Sequence, residues 1–218
     1  MKNGKMSWTS ITSTVISLIA LGLSLTSFYI FNLQPANLEI FPAEEIGLWH
    51  FDGTLHLIVP CLLSNKGAQT GTIQNMAVII LDPEKNDEAL FLKWDFFRYF
   101  NYEANTYPSE SKAFPLNISK QSSIFKLINF EGGGDSKNWV PKPITYNMQV
   151  IAWSKPSYTP DLSAKFQIAF KPEDVEKIKN NLESGTRTIT FAARSEWGKW
   201  KSKLLSPVEL QEVLNNLQ

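Results

Sequence analysis

The sequence predicts a mainly β domain, a β-sandwich with two short helices, carried behind one N-terminal transmembrane helix. Three observations point there. An uncharged stretch runs from Met6 to Leu38, densest in apolar residues over 15–31, and a bilayer core about 30 Å thick needs roughly 20 residues of helix. Most later apolar segments alternate with a period of two, as half-buried strands do. Polar turns separate these segments at the short spacing typical of a sandwich.

The apolar stretch opens the chain. A cleaved secretory signal has a basic start, about 7–15 apolar residues and a small-x-small cleavage site. Lys2 and Lys5 supply the basic start, but the run is longer and ends in Phe28-Tyr29-Ile30-Phe31, bulky where a peptidase needs small residues. Trp8 and Tyr29 stand where interfacial aromatics anchor a span. The expected division is a cytoplasmic N-terminus over 1–10, a transmembrane helix over 11–33, a linker over 34–37 and an extracytoplasmic domain over 38–218. Orientation rests on Lys and Arg bias: beyond the span none occurs before Lys66, whereas Glu39, Glu44, Glu45 and Asp52 do. Ala20 and Ser24, like Gly22 and Thr26, are small pairs one turn apart; a plain anchor or a helix-packing seam accounts for them.

The domain then reads as strands. Pro35 breaks the span, and Leu38–Phe41 is a short β-compatible run. Thr54–Ser64 places Leu55, Leu57, Val59, Cys61 and Leu63 on one side of a pleat. Ser64-Asn65-Lys66-Gly67 is a turn, and Gly71–Leu81 resumes as a strand. Ala89–Phe100, Ser122–Phe130, Asn147–Ser154, Ser163–Phe170, Thr186–Ala193 and Gly198–Leu205 follow. Pro172–Leu182 is expected to be a helix, with Val175, Ile178 and Leu182 on one face, Pro in the first turn and Gly185 as the stop. Ser206-Pro207-Val208-Glu209 reads as a capping box opening a second helix with a Leu210, Val213, Leu214 and Leu217 stripe.

The run from Thr54 to Leu81, with Ser64-Asn65-Lys66-Gly67 and then Gly71-Thr72-Ile73 opening the next strand, resembles small bacterial envelope proteins with one N-terminal anchor and an immunoglobulin-like outer domain. It is similar, more distantly, to the late-embryogenesis-abundant sandwich, although Lys66 stands where that family often has Pro. Phe114-Pro115-Leu116 and the run after Ser119 are similar to a later strand of such anchored proteins. The resemblance implies an immunoglobulin-like β-sandwich and an envelope location, and it carries no catalytic residues.

Composition narrows the function classes. Lys plus Arg and Asp plus Glu are equal at 21 each, with no basic block, which argues against a nucleic-acid partner. Cys61 is the single cysteine and sits in an apolar run, so it reads as a small buried group and not a nucleophile. His50, Asp52 and His56 form the only group with metal-ligand character; if Gly53 closes a hairpin the two histidines approach each other, but two ordinary histidines near a turn are the simpler account. No nucleophile elbow is present, and Gly132-Gly133-Gly134 lacks the Lys-Ser/Thr of a phosphate loop. No metal or other cofactor is expected.

Aromatic density is the one unusual local feature. The run from Phe91 to Tyr102 contains seven aromatics, and strict alternation sets Trp94, Phe96, Phe100 and Tyr102 against Phe91, Phe97 and Tyr99. Packing explains such rings, and so does a contact surface, for which Trp94, Phe96, Tyr99 and Tyr102 are the candidate residues. The expected function is a non-enzymatic interaction or scaffold module of the cell envelope, single-pass in the plasma (inner) membrane, with an envelope protein as partner. The alternative is a glycan- or peptidoglycan-binding module using 91–102; a third is an enzyme whose site is scattered through the sequence.

Overall fold

The computed structural model describes residues 8–43, 45–84 and 89–193. The expected strand Gly198–Leu205 and the helix opening at Ser206 lie outside them, as do Lys2 and Lys5. Helix α1 spans Trp8–Phe28 and continues as a π-helical turn over Tyr29–Leu33. Its apolar part, Thr12–Leu33, is 22 residues long and none of it is buried against the rest of the chain. At 1.5 Å per residue that is about 33 Å, enough to cross a bilayer core. The helix fits a single membrane anchor or a signal sequence. Its polar side chains are turned back onto the backbone: Ser17 donates to Ser13 O (2.9 Å), Thr26 to Gly22 O (2.9 Å) and Asn32 to Phe28 O (3.1 Å). Hydroxyl and amide groups satisfied within the helix are tolerable in lipid.

The domain is mainly β. Its strands are β1 (Leu38–Pro42), β2 (Glu45–Phe51), β3 (Thr54–Asn65), β4 (Gly71–Ile73), β5 (Asn75–Leu81), β6 (Ala89–Arg98), β7 (Ser109–Lys112), β8 (Leu116–Ile118), β9 (Ser122–Gly132), β10 (Thr145–Trp153), β11 (Leu162–Ala169) and β12 (Thr190–Ala193), with α2 (Pro172–Ser184) before the last. Ten strands join in one antiparallel sheet of order β11-β10-β5-β6-β9-β3-β2-β12, with β1 also on β3 and β7 also on β6; β4 and β8 form a separate ribbon. The sheet curls into a half-barrel that brings β11 near β1 and β12.

The immunoglobulin-like sandwich is therefore not confirmed. The long strands explain the difference. One edge of β3 is shared end to end by β2 and β1 while the other edge pairs with β9, and β6 is shared likewise by β5, β7 and β9. A strand occupied on both edges extends one sheet instead of dividing the domain into two.

The inward face of β3 carries Leu55, Leu57, Val59, Cys61 and Leu63, all fully buried, as the alternation predicts. Burial pushes the Cys61 thiol well above its ordinary pKa, so it is an inert apolar group. Gln74 divides the expected strand 71–81: it leaves the pleat to bond Trp153 O (2.7 Å), and both Ile73 before it and Met76, Val78 and Ile80 after it end up in the core. Helix α2 matches its expectation. Asp174 accepts from Lys171 N–H (3.3 Å) at the start, Ile178 is buried, and Gly185 stops the helix at φ 69°.

Strand β2 is absent from the expected strands. Asp52 (φ 50°) and Gly53 (φ 75°) close the β2–β3 hairpin with two left-handed residues, the two-residue turn that Asp-Gly favours.

The joint between α1 and the domain is held at several points. Gln34 N–H bonds Tyr29 O (2.9 Å), Ala68 N–H bonds Gln34 O (3.0 Å) and Lys66 N–H bonds Asn37 O (2.9 Å). Asn65, buried at the end of β3, accepts from Asn37 N–H (3.1 Å) and Gly67 N–H (3.0 Å) and donates toward Gln69 O (2.8 Å), Ile118 O (3.1 Å) and Ser119 O (3.2 Å). A Cβ on Gly67 would collide with Pro35 O and lie 2.7 Å from Ala36 Cα, so only glycine lets the linker pass this close.

Candidate functional site

The outer face of the sheet holds a polar cluster at the far end of β3. Trp49 on β2 lies opposite His56 on β3, and their rings stack at 4.4 Å. Asn129 on β9 sits beneath them. Its Oδ1 accepts from Trp49 Nε1 (3.4 Å) and Arg98 Nε (3.2 Å), and its Nδ2 lies 3.2 Å from His56 Nδ1 and 3.4 Å from Asp95 Oδ2.

These contacts fix a proton. Indole and guanidinium nitrogens only donate, so the Asn129 atom facing them is its oxygen and the other is the NH2. That NH2 donates to His56 Nδ1, which leaves Nδ1 unprotonated and the proton of the neutral ring on Nε2. His56 Nε2 is buried and meets no acceptor among the described residues. Burial first, then the Arg98 and His50 charges, lowers the His56 pKa to about 4. Burial, then repulsion from Glu131, raises the Asp95 pKa from its ordinary value.

A His held neutral by the fold stabilises it fully above the unfolded pKa near 6.5, and that stability drains away as pH falls through the window down to about 4. At about 1.4 kcal/mol per pH unit, partly screened by the open groove beside it, the loss amounts to about 2 kcal/mol. Urea unfolding of the detergent-solubilised chain at pH 7 and pH 4.5 should show this loss, and the His56→Gln chain should lack that part of it. An equal loss in both would exclude His56 as the source.

Next to the cluster lies an open groove of about 730 Å3, bordered by Trp49, Arg98, Phe100, Tyr107, Arg187 and Phe191 together with short polar residues of 105–109 and 188. Arg98 lies within cation–π distance of the rings of Trp49 (4.8 Å) and Phe96 (4.6 Å) and donates to Tyr107 O. Arg187 lies over Phe51 at 3.8 Å. Tyr107 touches both Phe100 (4.9 Å) and Phe191 (5.6 Å), closing the loop after β6 against the approach to β12. Gly47 lets this wall approach: a Cβ there would lie 2.7 Å from Ile189 Cγ2 and 3.2 Å from Phe191 Cε1. Among the described lining residues there are two arginines and no carboxylate.

The candidate contact residues are dispersed. A β-bulge at Asp95 shifts the register between Trp94 and Phe96, so Trp94 and Phe97, which strict alternation sets on opposite faces, both enter the core. Trp94 is 8% exposed with its ring edge on Phe97 at 5.2 Å. Phe96 is half-buried under Arg98. Tyr99 is exposed, and Tyr102, 87% exposed, reaches the groove only through Phe100 (4.7 Å). The sequence points to this region through the density of rings and, as a second place to look, the loop around Trp49; nothing in it singles out Arg98, Tyr107, Arg187 or Phe191 as contacts.

His50 and His56 lie on opposite faces of the hairpin. His50 pairs with Leu55, faces the core and donates Nε2–H to Trp139 O (2.8 Å), whereas His56 faces outward. No group of three His, Cys, Asp or Glu able to hold a metal occurs among the described residues.

Comparison with protein-family models gives no match. Comparison with curated proteins gives none either.

Proposed function

We propose that this chain is a single-pass, membrane-anchored binding module of the cell envelope, and that its groove takes an acidic glycan without chemically transforming it. The observation that supports this most is the groove lining. In a chain of balanced charge, two arginines, four rings and no carboxylate border one cleft. Rings offer flat faces for sugars, and guanidinium groups match carboxylates in paired hydrogen bonds. Glycoside hydrolysis normally needs a pair of carboxyl groups across the scissile bond, which the described lining does not supply.

Arg187 carries the test, because it borders the groove while its guanidinium rests on the exposed ring of Phe51 beside it and not in the core. Titrated at low salt, an acidic polysaccharide should bind and a neutral one of equal length should not. Arg187→Ala should weaken binding about tenfold, equivalent to about 1.4 kcal/mol, and added salt should weaken the native interaction. Equal binding of neutral and acidic polymers, or no change in Arg187→Ala, would remove the groove from the reading.

The orientation proposed is N-terminus in the cytoplasm and domain outside, from Lys2 and Lys5 on one flank and the absence of Lys and Arg before Lys66 on the other. Reporter fusions after Asn65 should be active with an export-dependent reporter and silent with a cytoplasmic one; the reverse pattern would invert the topology.

A further inference from the structure

We infer that the outer face of β1, β3 and β9 near the joint rests on the bilayer surface, so that the domain lies against the membrane that anchors it. This rests on the anchored reading of α1. Phe41, Leu62 and Phe125 occupy one register across these three strands: Phe41 lies opposite Leu62, and Leu62 opposite Phe125. All three point outward, and they are 48%, 41% and 58% exposed. At about 4.8 Å between strands they form a row about 10 Å wide. Pro60 and Leu127, paired in the adjacent outward row, are half-buried and extend it. Outward positions of a sheet that meet water normally carry polar residues, so a row of two phenylalanines and a leucine calls for a cover.

The position of the row identifies the cover as lipid. Leu62 is three residues from Asn65, about 10 Å along the strand, and Asn65 holds the linker that leaves the span. The linker is fixed to the domain through Gln34, Asn37, Gly67 and Ala68, so the row keeps a set position relative to the end of α1. The span is itself wholly exposed from Thr12 to Leu33 and so does not fold back to cover the row. Among the described residues nothing covers these side chains, and the apolar phase that receives α1 lies within reach of them. Between row and joint lies the polar register Glu39, Ser64 and Ser123, with Ser123 bonded to Ser64 (3.0 Å) and Lys66 on Glu39 (2.7 Å), chemistry suited to the headgroup layer.

The experiment uses the full chain in phosphatidylcholine–phosphatidylglycerol vesicles. A single cysteine carrying an environment-sensitive fluorophore is placed by Phe125→Cys, by Leu21→Cys within the span, or by Glu183→Cys at an exposed site beside the β2–β3 hairpin, at the opposite end of β3 from the joint; native Cys61 is buried and does not compete for label. Spin-labelled lipid is the quencher. Strong quenching at 21, several-fold greater quenching at 125 than at 183, and a blue-shifted emission at 125 are expected. Quenching at 21 with none at 125 would overturn the inference while leaving the anchor intact. Absence of quenching at both would overturn the anchor as well. Emission at 125 that depends on protein density and not on quencher lipid would assign the row to a second copy of the chain and overturn the inference.

Discussion

Trp94→Ala should destabilise the domain by about 3–5 kcal/mol, the usual cost of emptying a large buried ring site. The ring is 8% exposed, packs edge-on against Phe97 and belongs to the central cluster with Phe130 and Leu92. For a domain of this size the loss corresponds to roughly 10 °C in melting temperature. Tyr102→Ala, at the exposed tip of the same aromatic run, should stay within about 0.5 kcal/mol of the parent. Trp94→Phe should cost less than its lost volume suggests, because the Trp94 Nε1–H is buried with no acceptor among the described residues and its removal relieves that donor. Near-parental melting of Trp94→Ala would mean that the bulge at Asp95 does not turn this ring inward.

Asn65→Leu should also be severe, at about 2–5 kcal/mol. The side chain is of similar size, but the two backbone N–H groups of Asn37 and Gly67 lose their acceptor, and the carbonyls of Gln69 and Ile118 lose a donor. The bonds to Gly67 N–H and Ile118 O are buried, and each buried group left unpaired costs about 1–3 kcal/mol; Asn37 and Gln69 are exposed and their groups turn to water more cheaply. The variant has a second signature: the linker loses a clamp, so protease cleavage near Gln34–Asn37 in the membrane-bound chain should accelerate. A destabilised domain whose linker stays resistant would show that the backbone bonds from Lys66 and Ala68 hold the joint without Asn65.

Local chemistry made much of the fold legible. The span expected over 11–33 coincides with the apolar helix Thr12–Leu33, because length and lack of charge are properties of the segment alone. Long alternating strands such as β3 and β9 were legible for the same reason, and so was α2 with its Pro172 start and Gly185 stop. The failures have particular causes. Strand β2 was missed although Asp52-Gly53 is a strong two-residue hairpin signal, since Gly47 and flanking acids dilute its apolar character. The inward turn of both Trp94 and Phe97 depends on a bulge, and a bulge is set by the partner strand β9, not by the run containing Asp95. One curled sheet instead of two stacked ones depends on which strands share an edge, and alternation specifies a face but no neighbour. The groove draws Trp49, Arg98, Tyr107 and Arg187 from four separated segments, so no local pattern announces it.

The clamped joint gives the protein a mechanical character. A chain that left the membrane through a loose tether would let its domain swivel and absorb any pull. Here the exit from α1 is bonded across Gln34 and Asn37 to the loop that ends β3. Strand β3 then runs twelve residues, about 40 Å, to the hairpin beside the groove. In the anchored reading proposed above, a pull at the groove would reach α1 through bonded backbone, with no free swivel between strand and helix.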